Sequence, residues 1–196
     1  MTDLILNEIN QKKSKLRLVG EFFWEMIKIV VIALVIIIPV RYFLIQPFYV
    51  KGASMEPNFY DHEYLIIDEI SYRLYQPNRG DIVVFKYPKD PKQYFIKRVI
   101  GLPKEKVSIK DGKISINDKQ LNETYLPADT ETNLPLRGYS EITLGDDEYF
   151  LLGDNRDQSL DSRVFGPVKR DFIVGRTWIR GWPFSRLTVF NAPDYK

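Results

Sequence analysis

Residues 29–40, IVVIALVIIIPV, form an uncharged apolar run of twelve close to the N-terminus. Read outward from Phe22 to Ile45 the segment has 24 residues, roughly 36 Å as a helix against a hydrocarbon core of about 30 Å. The charges inside it, Glu25, Lys28 and Arg41, stand near its two ends, where long side chains reach headgroups. Trp24 and Tyr42 take the places of interfacial aromatics, and Pro39 marks a bend or an exit. Lys12, Lys13, Lys15, Arg17 and Lys28 precede the run, and only Arg41 and Lys51 follow it closely. That asymmetry predicts a cytoplasmic N-terminus and an exported C-terminal bulk. The run continues into RYFLIQPFYVK, bulky residues where a cleavable signal would carry small ones, so the segment reads as an uncleaved anchor. The expected organisation is a cytoplasmic segment 1–21, a single transmembrane helix 22–45 in the plasma membrane, and an exported domain 46–196.

Composition narrows the chemistry of that domain. With 44% apolar and 28% charged residues the chain is globular in character, and a net charge of +2 gives no reason to expect a nucleic-acid partner. There is no cysteine and one histidine, His62. Disulfides, thiolate metal sites and a thiol nucleophile are therefore excluded, and no metal or other cofactor is expected. After Gln46 the helical period gives way to short strand-like runs at 48–51, 64–68, 82–87, 94–100, 149–152 and 175–180, separated by Pro, Gly, Asn and Asp. Residues 107–110 and 113–116 flank Asp111-Gly112, the pair favoured in a type I′ hairpin. Ile70–Leu74 suggests a turn or two of helix. From about 102 to 145 the chain is more polar and turn-rich, which predicts an inserted lobe.

Three blocks carry the candidate chemistry: Gly52-Ala53-Ser54-Met55-Glu56-Pro57; Arg79-Gly80-Asp81-Ile82-Val83-Val84-Phe85 with Phe95-Ile96-Lys97-Arg98-Val99-Ile100-Gly101-Leu102-Pro103; and residues 153–163, GDNRDQSLDSR. Ser54 needs a base to become a nucleophile. His62 stands eight residues away in a polar loop where a solvated surface role is the commoner one. Lys97 lies in an otherwise apolar strand, where burial would lower its pKa. Strand parity alone does not select it, since Arg98 occupies the other face, but only lysine can lose its proton. The third block reads as an Asp–Arg-paired turn. It lacks the Gly and Glu of a calcium loop at the sixth and twelfth positions.

Apolar segment, GxSMxP, RGDIVVF, a Lys-Arg strand running into Ile-Gly-Leu-Pro, and GDNRDxSxDSR in that order resemble the bacterial type I signal peptidases. The resemblance implies a mostly β domain of coiled antiparallel sheets with an inserted β-rich lobe, preceded by one transmembrane helix. It implies a serine endopeptidase with Ser54 as nucleophile and Lys97 as general base, Ser159 orienting the amine, and Asp161 and Arg163 as a structural pair. Gly52 replaces a hydroxyl residue that in some members helps stabilise the oxyanion. Substrates would be exported preproteins cut after small residues. Val50, Met55 and Ile96 flank the dyad as candidate substrate-pocket residues. Membrane lipid and the export translocon are the remaining partners expected, and Trp178, Trp182 and Phe184 read either as lipid contacts near the site or as core aromatics of a terminal strand. A self-cleaving Ser-Lys repressor would need an N-terminal DNA-binding domain where this chain has its apolar run.

Overall fold

A computed structural model describes residues 2–39, 46–136 and 138–191, with side chains in the first stretch from 17 to 38. The chain divides into two compact units after residue 43. In the first, a helix α1 runs Thr2–Pro39. On its surface Arg17 pairs with Glu21 at 2.9 Å, and Lys28 pairs with Glu25 at 2.7 Å while standing 5.9 Å from the Trp24 ring. Among the described residues no helix is long and apolar enough to cross a membrane. This overturns the transmembrane helix expected at 22–45, and with it the single-pass plasma-membrane topology and the cytoplasmic N-terminus. The reason lies in the charges: Glu21, Glu25 and Lys28 interrupt the apolar sequence of the helix, and the uncharged stretch 29–38 rises only about 15 Å, half the hydrocarbon thickness. Residues 40–45, on which the expected span also drew, lie outside the described residues.

The second unit is built of antiparallel sheet. Its larger sheet joins β1 (Gln46–Tyr49), β2 (Tyr64–Asp68), β11 (Ile173–Trp182), β3 (Ile82–Tyr87), β4 (Asp90–Gly101), β9 (Glu148–Leu152) and β10 (Val168–Lys169) in that spatial order, with β12 (Thr188–Val189) paired to β11. A smaller sheet, in the order β7 (Lys119–Gln120), β6 (Lys113–Ile116), β5 (Lys106–Lys110), β8 (Glu141–Thr143), is formed wholly by chain between β4 and β9. The β5–β6 turn places both Asp111 and Gly112 at positive φ, 50° and 71°, as a type I′ turn demands. Short helices α2 (Ser71–Leu74) and α3 (Ser162–Phe165) complete the unit.

Period-two alternation decides what each strand buries. Strand β9 sends Tyr149 and Leu151 into a cluster with Val83, Phe85, Val99 and Ile173. Its alternate residues, Phe150 and Leu152, join Ile100 against Val107, Ile109, Ile114 and Ile116 of the smaller sheet. A third cluster sets Leu65, Ile67, Ile82 and Val84 beneath Val50, Met55 and Phe59, which pins the chain between β1 and β2 onto the sheet. The two sheets meet tightly at Gly101, where a Cβ would lie 2.5 Å from Val107 and 2.8 Å from Leu144.

Gly101→Ala should therefore overpack this junction and lower stability by about 1–3 kcal/mol. In urea titrations Gly101→Ala with Val107→Ala should cost less than the sum of the two singles. Strict additivity would show that the junction yields elsewhere.

Candidate active site

Ser54 sits in the segment linking β1 to β2, and its position is fixed from below and from the side. Met55 and Phe59 are fully buried under the segment, and Phe59 N–H closes a helical turn by donating to Met55 O at 2.9 Å. From the side, Asn155 donates its backbone N–H to Ser54 O and its Nδ2 to Ala53 O, both at 3.1 Å. Gly153 fills the space between: a Cβ there would fall 2.4 Å from Ser54 O and 2.2 Å from Ser159 Oγ, so only glycine fits.

Alternation along β4 sends two adjacent cations to different partners. Arg98 is held in a bidentate pair by Asp154, Nε–Oδ1 at 2.8 Å and Nη2–Oδ2 at 2.6 Å, stacks 3.9 Å from the Tyr125 ring, and donates to Gly80 O. Asp154 Oδ2 also accepts from Asn58 Nδ2 at 2.8 Å, which ties the serine segment to the same carboxylate. Lys97, by contrast, has no ion-pair partner among the described residues. Its Nζ lies 2.7 Å from Ser54 Oγ and donates to Ile96 O at 2.8 Å. Only 3% exposed, its ammonium is pushed down by burial to about 8 from an ordinary 10.5, against the opposing pull of Asp161 and Asp154. Arg98, on the other face of the strand, is neutralised by Asp154.

The third sequence block folds over this pair. Asp161 and Arg163 form a buried bidentate pair, both contacts at 2.9 Å, and Asp161 also caps α3 and accepts from Gly153 N–H. Arg163 reaches on to Asn133 O and Arg156 O. Arg156 pairs with Glu123 and donates to Gly153 O and the Thr132 hydroxyl. Ser159 is the member that departs from expectation. Its Oγ is buried without a hydrogen-bond partner among the described residues, so the bond to Lys97 is not formed.

A cleft of about 340 Å³ opens at the dyad, lined by Val50, Gly52, Ser54, Ile96 and Lys97 together with Phe48, Tyr94 and Leu160. Of the three candidate pocket residues, Val50 and Ile96 line this cleft. Met55 is not, because it faces inward and serves as the anchor of the serine segment. Gly52 adopts φ +92° and donates its N–H to Asp61 Oδ1 at 2.9 Å. The N–H of Ser54 makes no hydrogen bond among the described residues. His62 pairs with Asp61 at 2.9 Å in the solvent-exposed loop and touches neither member of the dyad.

Sequence reading passed over Asp154, Asn155, Gly153 and Asn58. An available signal was Arg98: a guanidinium in an apolar strand requires a buried acid, and Asp154 is in the block already marked by its charges.

The family model described as signal peptidase, peptidase S26, matches residues 23–182. A probable signal peptidase I-2 of Synechocystis is 38% identical over 97% of this chain and 87% of its own. A signal peptidase I of Leptolyngbya laminosa is 35% identical over 86% of this chain and 84% of its own. A solved signal peptidase I of Enterococcus faecalis is 34% identical, covering 52% of this chain and 97% of that one with a TM-score of 0.45. The chain belongs to the signal peptidase family, peptidase S26.

Proposed function

We propose that this chain is a serine endopeptidase that removes signal peptides from exported preproteins, with Ser54 as nucleophile and Lys97 as general base. The observation that carries the reading is the 2.7 Å approach of a buried, partner-poor amine to the serine hydroxyl. A lysine depressed to about 8 supplies neutral amine near neutral pH, and its lone pair takes the Ser54 proton as Oγ attacks the scissile carbonyl. Collapse of the tetrahedral intermediate breaks the C–N bond, and the ammonium returns its proton to the leaving amine. Lys97, neutral again, activates the water that releases the acyl group. With its lone pair toward Ser54 Oγ, neutral Lys97 has two N–H bonds, one donated to Ile96 O and one left over, and the buried, unpartnered Ser159 hydroxyl supports Ser159 as the acceptor of the second. Asp161 and Arg163 hold the loop that carries it.

Membership of the family implies preprotein substrates and work in a membrane context. An extended chain laid in the cleft would offer alternate side chains to Val50 and Ile96, which suits small residues. The catalytic domain is proposed to span 46–196, with 102–145 as an inserted lobe; the smaller sheet, confined to the chain between β4 and β9, supports that division. Exposed Trp178, Trp182 and Phe184 support contact with the lipid interface near the export translocon.

Incubating the purified protein with a preprotein and sequencing the product tests the reading. Cleavage after a small residue is expected, and it should vanish in Ser54→Ala and in Lys97→Arg, because guanidinium does not deprotonate. Substantial turnover by Lys97→Arg would remove lysine as the base.

The rate should climb with pH through about 8, as Lys97 loses its proton, and then level. Stability carries the same signature. The unfolded chain holds more protons than the folded one between about 8 and 10.5, so wild-type stability rises with pH across that window. Lys97→Met should be inactive yet melt higher at pH 7, and its advantage should shrink as the pH approaches 10. An unchanged advantage at every pH would mean that burial does not oppose the ammonium.

Ser159→Ala should slow cleavage by about 10- to 1,000-fold, on the scale of one lost catalytic hydrogen bond, while keeping the rising limb of the pH profile. Wild-type rate in this variant would remove its orienting role.

A further inference from the structure

Gly52 lies two residues before the nucleophile and on the wall of the cleft. With φ at +92° and nothing within 4 Å of where a Cβ would stand, neither a side chain nor a neighbour restrains it. A glycine in open space at positive φ has several alternatives of similar energy, and the peptide that precedes it can rotate at little cost. Rotation there would redirect the backbone that leads into Ser54 and carry the Ser54 N–H away from the developing oxyanion. An oxyanion donor has value only while it is held in place before the charge appears.

Two side chains oppose movement of this backbone: Asn155 Nδ2 holds the Ala53–Ser54 peptide through Ala53 O at 3.1 Å, and Asp61 holds the Lys51–Gly52 peptide that leads into it. Asp61 Oδ1 accepts from Gly52 N–H at 2.9 Å across nine residues of chain. Asp61 is itself positioned by backbone: His62 N–H donates to Val50 O at 3.0 Å and Val50 N–H donates to Glu63 O at 2.8 Å. The two flanking backbone bonds close the 50–63 loop at its neck, so the carboxylate faces Gly52 from a fixed base. Asp61 is too exposed, at 43% for its side chain, to matter much to the stability of the fold.

We infer that Asp61 is a positioning residue for catalysis: by holding the Gly52 N–H it locks the Lys51–Gly52 peptide on the approach to the nucleophile and keeps the Ser54 N–H aimed at the oxyanion. The inference rests on the proposed Ser54 chemistry. Where other chains place a hydroxyl residue two before the nucleophile, this chain has a bare glycine steadied from outside by a carboxylate. What Gly52 needs from residue 61 is a hydrogen-bond acceptor, and its charge is incidental.

The test measures kcat, KM and Tm on one preprotein for Asp61→Ala, Asp61→Asn, His62→Ala and Ser54→Ala. Asp61→Ala should lower kcat about tenfold or more, the order of a weakened oxyanion contact, with KM and Tm near wild type. Asp61→Asn keeps an acceptor oxygen and should restore kcat to within about threefold of wild type. His62→Ala leaves the acceptor in place and should stay within about twofold of wild type. Wild-type kcat in Asp61→Ala overturns the inference. So does an Asp61→Asn as slow as Asp61→Ala, or a loss in Asp61→Ala that tracks a fall in Tm. Ser54→Ala separates this from the parent reading: cleavage surviving there brings down the nucleophile assignment and this inference together, whereas an inactive Ser54→Ala beside a normal Asp61→Ala removes Asp61 alone.

Discussion

The carboxylate of Asp154 is the point through which the rest of the site is held. It takes both nitrogens of the Arg98 fork and, on the same oxygen, the Asn58 amide. One buried charge thereby joins strand β4, the serine segment and the 153–163 loop. Breaking such a pair leaves an uncompensated ion in the interior, a loss of about 3–5 kcal/mol. Its effect on chemistry is less direct and more consequential. Because Arg98 is satisfied by its own acid, the next side chain along the strand stays in an apolar setting without a counterion. Burial is what depresses Lys97, and Asp154, already engaged by Arg98, pulls the other way without overcoming it.

Two more buried guanidinium–carboxylate pairs, Arg163 with Asp161 and Arg156 with Glu123, extend this pattern over the loop. Buried pairs of this kind are weak evidence for stability, since desolvation offsets much of the attraction. Their geometry fits another role. Each arginine also donates to backbone carbonyls, Gly80 from Arg98, Gly153 and Arg156 from the other two. The forks therefore set the course of irregular chain that no sheet could hold. At its centre Gly153 leaves no slack between Ser159 and the serine carbonyl.

Much of this was legible in the sequence where a local rule decides the outcome. Short strand-like runs bounded by turn residues matched β2, β3 and β6 at their full extents, and Asp111-Gly112 marked the hairpin. Ser54 and Lys97 stood out by chemical type and by family resemblance, and the structure brings them into contact. Elsewhere the deciding physics was non-local. Parity left Lys97 and Arg98 equivalent, and only the position of Asp154, more than fifty residues away, separates them. Met55 looked like a pocket residue by adjacency to Ser54, but an apolar side chain beside a turn buries itself if the sheet beneath has room. The N-terminal segment was judged by adding apolar residues across the charges of Glu25 and Lys28, and the charge-free helix that remains is short for a bilayer. Gly52 was assigned to the oxyanion region, yet its own N–H is engaged by Asp61, a contact that no spacing rule supplies.

The depressed amine also governs how much of the enzyme is armed at a given moment. With its midpoint at about 8, roughly one molecule in ten carries the neutral base at pH 7. The remainder wait in the ammonium form, folded but unable to begin. Any further loss of hydration at this amine would disfavour the ammonium more and arm a larger share.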